Sequence, residues 1–271
     1  MHVRRTPAAV VAVLALLGAC SRAPKSAPPG PTTSMPSATP KWPNVVPRNG
    51  LEVVGWIRRT HPARELRALR YTVTTEYVSM PPRATQSVAY VSLPGKLRLE
   101  QMPTTSRTGD IRDRQRLAVF RAGRRVSTTR RVDLRTLLVF DLFAQNADTT
   151  IMWLDSAKVR FGIARAGEFD GRNMWVVGAT AGDDASTQFW VDAEHWRVAR
   201  IIQRDPRDPD AVIDVRYTDY TELLDVPVPT RIEVWRDGRL SEVQTFSDFT
   251  VNPALPPRAF DLSRWRAMTG V

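Results

Sequence analysis

His61 and His195 stay with the folded part of this chain, and histidine is the usual proton carrier in enzyme chemistry. Asp192 and Glu194 stand close to His195, so a carboxylate could orient its ring, as a Ser-His-Asp relay requires. No serine sits in a strained Gly-x-Ser-x-Gly turn, and both histidines read as structural. Asp183-Asp184 and Asp205-Pro206-Arg207-Asp208-Pro209-Asp210 offer oxygen ligands for a hard cation. Neither has a calcium-loop spacing with a glycine and a distal glutamate, and Arg207 opposes a cation in the second. Both read as hairpin turns. Glu168 and Asp170 form a candidate carboxylate pair for acid–base work, but a turn before Gly171 explains them better. No glycine-rich phosphate loop or zinc-ligand spacing occurs. The sequence therefore calls for no catalytic residue, no metal and no cofactor.

Cys20 is the only cysteine. Before it come Arg4 and Arg5, an apolar run from Ala8 to Leu17, and then Gly18-Ala19. A basic start, a short apolar core and small residues at the cut describe a secretory signal peptide. The run is too short to span a bilayer, which takes about 20 residues. Leu17-Gly18-Ala19-Cys20 resembles the lipobox of bacterial lipoproteins. That resemblance implies removal of residues 1–19, acylation of Cys20 and attachment to a membrane. The alternative is an ordinary signal peptide with an incidental cysteine. Residues 21–44 are rich in Pro, Ser and Thr and nearly free of large apolar side chains, so they read as a disordered tether. Residues 45–271 suit one domain.

The formal net charge is +11, and 35 of the 39 basic residues are arginine. An exported protein rarely meets nucleic acid, so anionic lipid or an acidic protein fits this balance better as a partner. A sequence that uses arginine throughout its solvated faces explains the same charge without a partner. With Cys20 lipidated, the folded part has no disulfide and no thiolate metal site, and must rely on its core.

Residues 49–70 read as a helix in two pieces broken at Pro62, carrying Val53, Val54, Ile57, Leu66 and Leu69. The period then changes to two. Strands are predicted through Tyr71–Tyr77, Val88–Tyr90, Leu97–Leu99, Arg116–Arg121 and Arg124–Arg130. Asp133 caps a helix over 133–145 whose Leu134, Leu137, Leu138, Val139, Phe140, Leu142 and Phe143 surround it, so it should be covered on several sides. A short second helix holds Trp153. Strands return at Val159–Ala164, Met174–Ala179, Thr187–Asp192, Arg197–Arg204, Val212–Tyr220, Thr230–Trp235 and Glu242–Val251. The expected fold is mainly β (α+β): an antiparallel half-barrel of about eleven strands around short helices.

Asp170-Gly171-Arg172, Trp175 to Ala179, Phe189-Trp190-Val191-Asp192 and Arg197 form an ordered series. Asp219-Tyr220, Pro229, Ile232, Phe246, Phe249, Asn252 and Phe260-Asp261-Leu262 continue it. The series resembles the Lol-type outer-membrane lipoprotein-sorting superfamily, most clearly over residues 170–262. The resemblance implies a half-barrel with an apolar cavity for acyl chains, and the lipobox matches the family's anchored receptor rather than its soluble carrier. It implies a non-enzymatic, lipid-anchored envelope protein that binds acyl chains or lipidated proteins at the outer membrane, facing the periplasm. The alternative is an envelope stress sensor or scaffold with a protein partner; a hydrolase comes third. Tyr77, Tyr90, Leu97, Leu99, Val119, Leu134, Leu137, Leu138, Phe140 and Trp153 are the candidate ligand-binding residues, and packing in the core explains each of them too. Ile111, the one large aliphatic residue in 104–114, is the candidate for protruding into a membrane or partner; an isolated surface isoleucine is the plainer explanation.

Overall fold

The computed structural model describes residues 45–62, 65–78 and 80–268. Cys20, the signal peptide and the tether lie outside these residues. Residues 40–271 form one compact unit, and every residue of the cores described below lies within it.

Alternating side chains and tight turns build one antiparallel sheet of 13 strands. The first six are β1 (Ala68–Tyr77), β2 (Arg83–Ser92), β3 (Lys96–Gln101), β4 (Gly109–Arg112), β5 (Arg116–Arg121) and β6 (Arg124–Arg130). Next come β7 (Ala164–Phe169), β8 (Arg172–Val177), β9 (Gln188–Asp192) and β10 (Val198–Asp205). The long strands β11 (Asp208–Leu223), β12 (Val226–Arg236) and β13 (Arg239–Val251) end the series. Each strand pairs with its sequence neighbours, except that β13 closes back on β1 and that β6 and β7 are free edges. The sheet is thus unclosed. Ala122-Gly123, Asp170-Gly171 and Asp237-Gly238 each place two residues at positive φ, the backbone that two-residue hairpins require.

Helix α1 (Gly50–Thr60) starts where the Asn49 side chain accepts a hydrogen bond from the Glu52 N–H. Leu66 enters the core from an irregular segment, and Leu69 belongs to β1. Among the described residues the second helical piece expected there is absent: α1 ends at Thr60, just before His61-Pro62, and β1 begins at Ala68. The expected central helix runs as α2 (Leu134–Thr136), a π-helical segment (Leu137–Asp141) and α3 (Leu142–Ala144), with α4 (Ala147–Ser156) after it. Every residue from Leu137 to Phe143 is buried, as a helix apolar all round demands.

The strand estimate needs two corrections. Gly109–Arg112 is a strand, not a loop, and Gly109 explains why it was hard to read. Its φ is 154° and an added Cβ would lie 1.9 Å from the Leu99 carbonyl oxygen, so only glycine lets β4 approach β3. Residues 159–163 are turn, and the strand begins at Ala164.

The sheet has two covered faces. The inner face packs on the helices, joining Val53, Ile57, Leu138, Leu142 and Leu154 to Leu69, Val91, Phe189, Ile201 and Val215. The outer face of β2–β5 is covered by the C-terminal segment, where Val88, Tyr90, Ile111, Ala118 and Phe120 meet Ala259, Phe260 and Trp265.

Candidate functional site

Strand register assembles the site. Tyr217, Ile232, Gln244, Thr75 and Thr85 pair in a row across β11, β12, β13, β1 and β2. Two residues further in on β1, Phe246, Val73, Ser87 and Gln101 form the next row, and Tyr71, Ala89, Leu99, Asp110 and Val119 the row after that. In the other direction Glu242, Tyr77 and Arg83 form the outermost row. Period two puts these side chains on the inner face. Between them and Val139 and Phe140 of the π-helical segment lies a cleft of about 590 Å³. Tyr71, Val73, Leu97, Leu99, Val119, Phe140 and Phe246 line it, interleaved with Thr75, Ser87, Gln101, Asp110 and Arg112. Its mouth carries Arg83, Arg121 and Arg207.

One ion cluster holds the wall. Arg112 Nε donates to Asp110 at 2.7 Å and its NH1 to Asp133 at 2.6 Å. Asp133 also caps α2 through the Arg135 N–H and accepts from the Thr136 hydroxyl at 3.1 Å. Burial alone would lower the Arg112 pKa, but the two carboxylates outweigh it and hold the guanidinium charged. Burial likewise pushes Asp133 up, and Arg112 and Arg135 overcome that and keep it ionised. Asp141 is the opposite case. Burial raises it to about 7, against the Gly95 N–H that donates to it at 2.7 Å.

The candidate residues separate into groups. Tyr77, Leu97, Leu99, Val119 and Phe140 do line the cleft. Leu134 and Leu138 are closed core, 2% and 1% exposed, and line no cleft described here. Leu137 and Trp153 border a narrow void of about 10 Å³ beside Gly95 and Asp141, and Trp153 faces a separate surface depression with Lys96 and Arg114.

Tyr90 and Ile111 require correction. They pair through Arg98 in one row of the outer face, with Ala118 beyond. Tyr90 is 6% exposed and Ile111 fully buried under the C-terminal segment. Tyr90 therefore does not reach the cleft, and Ile111 does not protrude. In both cases strand parity places the side chain on the other face. Sequence reasoning missed Tyr71, Val73, Tyr217 and Phe246 as cleft residues; the even spacing of Tyr71 and Val73 from Tyr77 was an available signal, and Tyr217 and Phe246, on separate strands, offered none of that kind.

The histidines hold turns together. His61 Nε2 donates to the His195 carbonyl at 2.9 Å, and His195 Nδ1 to Asp192 at 3.2 Å. Asp192 is otherwise engaged by the N–H groups of Glu194 and His195 at 3.0 Å and by Arg172. Asp183 accepts from the Ser186 N–H and from Arg160, and Asp205 from the Arg207 N–H and from Arg236. These acids are turn residues with arginine partners.

No protein-family model and no curated protein matches the chain. Solved structures do overlap it. A LolA superfamily protein from Nitrosomonas europaea is 14% identical with a TM-score of 0.49, covering 78% of this chain and 97% of that one. A putative outer membrane lipoprotein-sorting protein domain from Vibrio parahaemolyticus is 13% identical with a TM-score of 0.49, over 79% and 98%. A DUF1329 family protein from Desulfovibrio piger is 10% identical with a TM-score of 0.49, over 78% and 95%. The residues of the cleft, not these overlaps, carry the functional reading below.

Proposed function

We propose that the inner-face cleft holds acyl chains, of a lipid or of a lipidated protein, in a lipid-anchored protein of the bacterial envelope. The observation that carries this reading is the cleft itself: about 590 Å³, with Tyr71, Val73, Leu99, Val119 and Phe140 on its inner walls. That volume falls within the range of about 300–1,000 Å³ typical of small-molecule sites. Each methylene moved from water onto such walls contributes about 0.8 kcal/mol, so about ten of them suffice for binding after association costs. The reading needs no catalytic group. Expressing the chain from residue 21 in a bacterial periplasm and identifying copurifying lipids by native mass spectrometry tests it. Bound acyl species lost on filling the cleft support it; a chain that carries none, and takes up none when lipid is added, defeats it.

Attachment through Cys20 at the outer membrane is part of the proposal and rests on Leu17-Gly18-Ala19-Cys20. Ser21 stands where aspartate would signal inner-membrane retention. Cys20→Ser should abolish palmitate labelling and release or leave uncleaved the protein. Recovery of the wild type in the inner-membrane fraction would remove the sorting part alone.

A protein-binding sensor or scaffold is the second reading. It is favoured by β6, a free edge whose seven residues are all exposed and include Arg124, Arg125 and Arg130. Such an edge can accept an extended acidic segment. Binding of a protein partner that survives a blocked cleft would support it over the first.

A further inference from the structure

One residue bordering the cleft carries a buried hydroxyl with no hydrogen-bond partner. Among the described residues, several buried side-chain polar atoms lack a hydrogen-bond partner, and of these only the Tyr217 hydroxyl belongs to a residue lining the cleft. Tyr217 is fully buried, set between Ile232 on β12 and the helical segment. Burial holds the phenol well above its ordinary pKa, so it is a neutral donor. A buried donor left unmade is unfavourable, and such groups persist where something else supplies the acceptor.

The charges at the mouth point the same way. Asp110 and Asp133 are both taken by Arg112, and Glu242 accepts from Gln244 at 2.9 Å. Among the described residues, Arg83, Arg121 and Arg207 form no ion pair, and all three are exposed. Arg83 rests over the Tyr77 ring at 5.8 Å. The mouth thus offers guanidinium groups beside an aromatic ring, above walls on which apolar and polar side chains alternate.

We propose that the ligand is an acyl ester or acid bearing negative charge, its carbonyl accepting from the Tyr217 hydroxyl and its anionic head on Arg83, Arg121 and Arg207. The proposal rests on the acyl-binding reading and narrows it from any acyl chain to an anionic amphiphile. Arginine suits this role because its planar donors match phosphate and carboxylate oxygens. A neutral ester could use the hydroxyl but would leave the arginines unused.

The test uses the chain from residue 21, which keeps the whole compact unit. A fluorescent fatty acid is bound and then displaced by palmitoyl lysophosphatidylglycerol or palmitoyl lysophosphatidylcholine. The anionic lipid should compete at about tenfold lower concentration, and raised salt should shrink the gap. Arg83→Glu with Arg121→Glu should erase the preference without displacing the fold, since both arginines are exposed. Tyr217→Phe should weaken both lipids about tenfold while leaving the melting temperature unchanged or higher, because no native hydrogen bond is lost. Equal competition by the two lipids, or a Tyr217→Phe protein that binds normally or melts lower, overturns the proposal and leaves acyl binding standing. No saturable probe binding at all overturns both.

Discussion

Arg112 ties strand β4 to a helix cap with one guanidinium, bonding Asp110 on its own strand and Asp133 at the start of α2. Its side chain is 18% exposed, so its partners are not interchangeable with water. Arg112→Met leaves two largely buried carboxylates uncompensated and should destabilise by about 3 kcal/mol in urea denaturation, far more than a surface pair would. Asp141 has a different signature. Its folded pKa of about 7 lies above that of an unfolded aspartate, so the folded state holds the proton longer. Stability from this group is fully present below about pH 4 and falls as pH rises towards 7. Asp141→Asn keeps an acceptor for the Gly95 N–H. It should match the wild type near pH 4 and exceed it increasingly up to pH 7, with a constant gain beyond. Parallel denaturation midpoints from pH 4 to 8 would show that Asp141 titrates normally. Asp133 works with the opposite sign: its carboxyl is held low, so its contribution is lost as pH falls below about 4.

At the level of elements, the C-terminal segment is the part whose role is easiest to underestimate. Arg98 is fully buried beneath it, donating to the carbonyls of Ala259 at 2.7 Å and Arg266 at 2.5 Å. The guanidinium lies 4.0 Å from the Trp265 ring centroid and pairs with Glu100. Trp265→Ala removes the ring and uncovers that charge, and should lower stability by about 3–5 kcal/mol. A melting temperature within a degree or two of the wild type would contradict the strap. Leu138→Gln is also a stability test rather than a ligand test. Leu138 is closed core, so it should destabilise by several kcal/mol whatever the cleft binds.

These elements also show what the sequence disclosed. Strand identity was legible on both sides of Asp237-Gly238, but before Asp170-Gly171 the strand was expected five residues early; the all-round apolar helix announced its own burial. Strand face was not legible for Tyr90 and Ile111. Both are large and apolar, and the outer face has its own core because residues 255–268 return to cover it. Nothing local in β2 or β4 signals a cover supplied more than a hundred residues later. The cleft's apolar half was foreseen at Leu97, Leu99 and Phe140. Its charged half was not, because Arg83, Arg121 and Arg207 come from separate hairpins that only the folded sheet sets around one cleft.

For the whole molecule, the unclosed sheet is what makes a site available. Its inner face is shared between the helices and the cleft, and β6 and β7 end the sheet without pairing to each other. Among the described residues no helix is long and apolar enough to cross a membrane. The most direct measurement is titration of a fluorescent fatty acid into the chain from residue 21, for the wild type and for Val119→Trp. Val119 lines the cleft and is only partly buried, so the indole should occupy the space without unfolding the sheet. The account predicts saturable binding with a Kd of about 1–10 μM, lost in Val119→Trp at an unchanged melting temperature. Absence of saturable binding, or binding untouched by the blocked cleft, would contradict it.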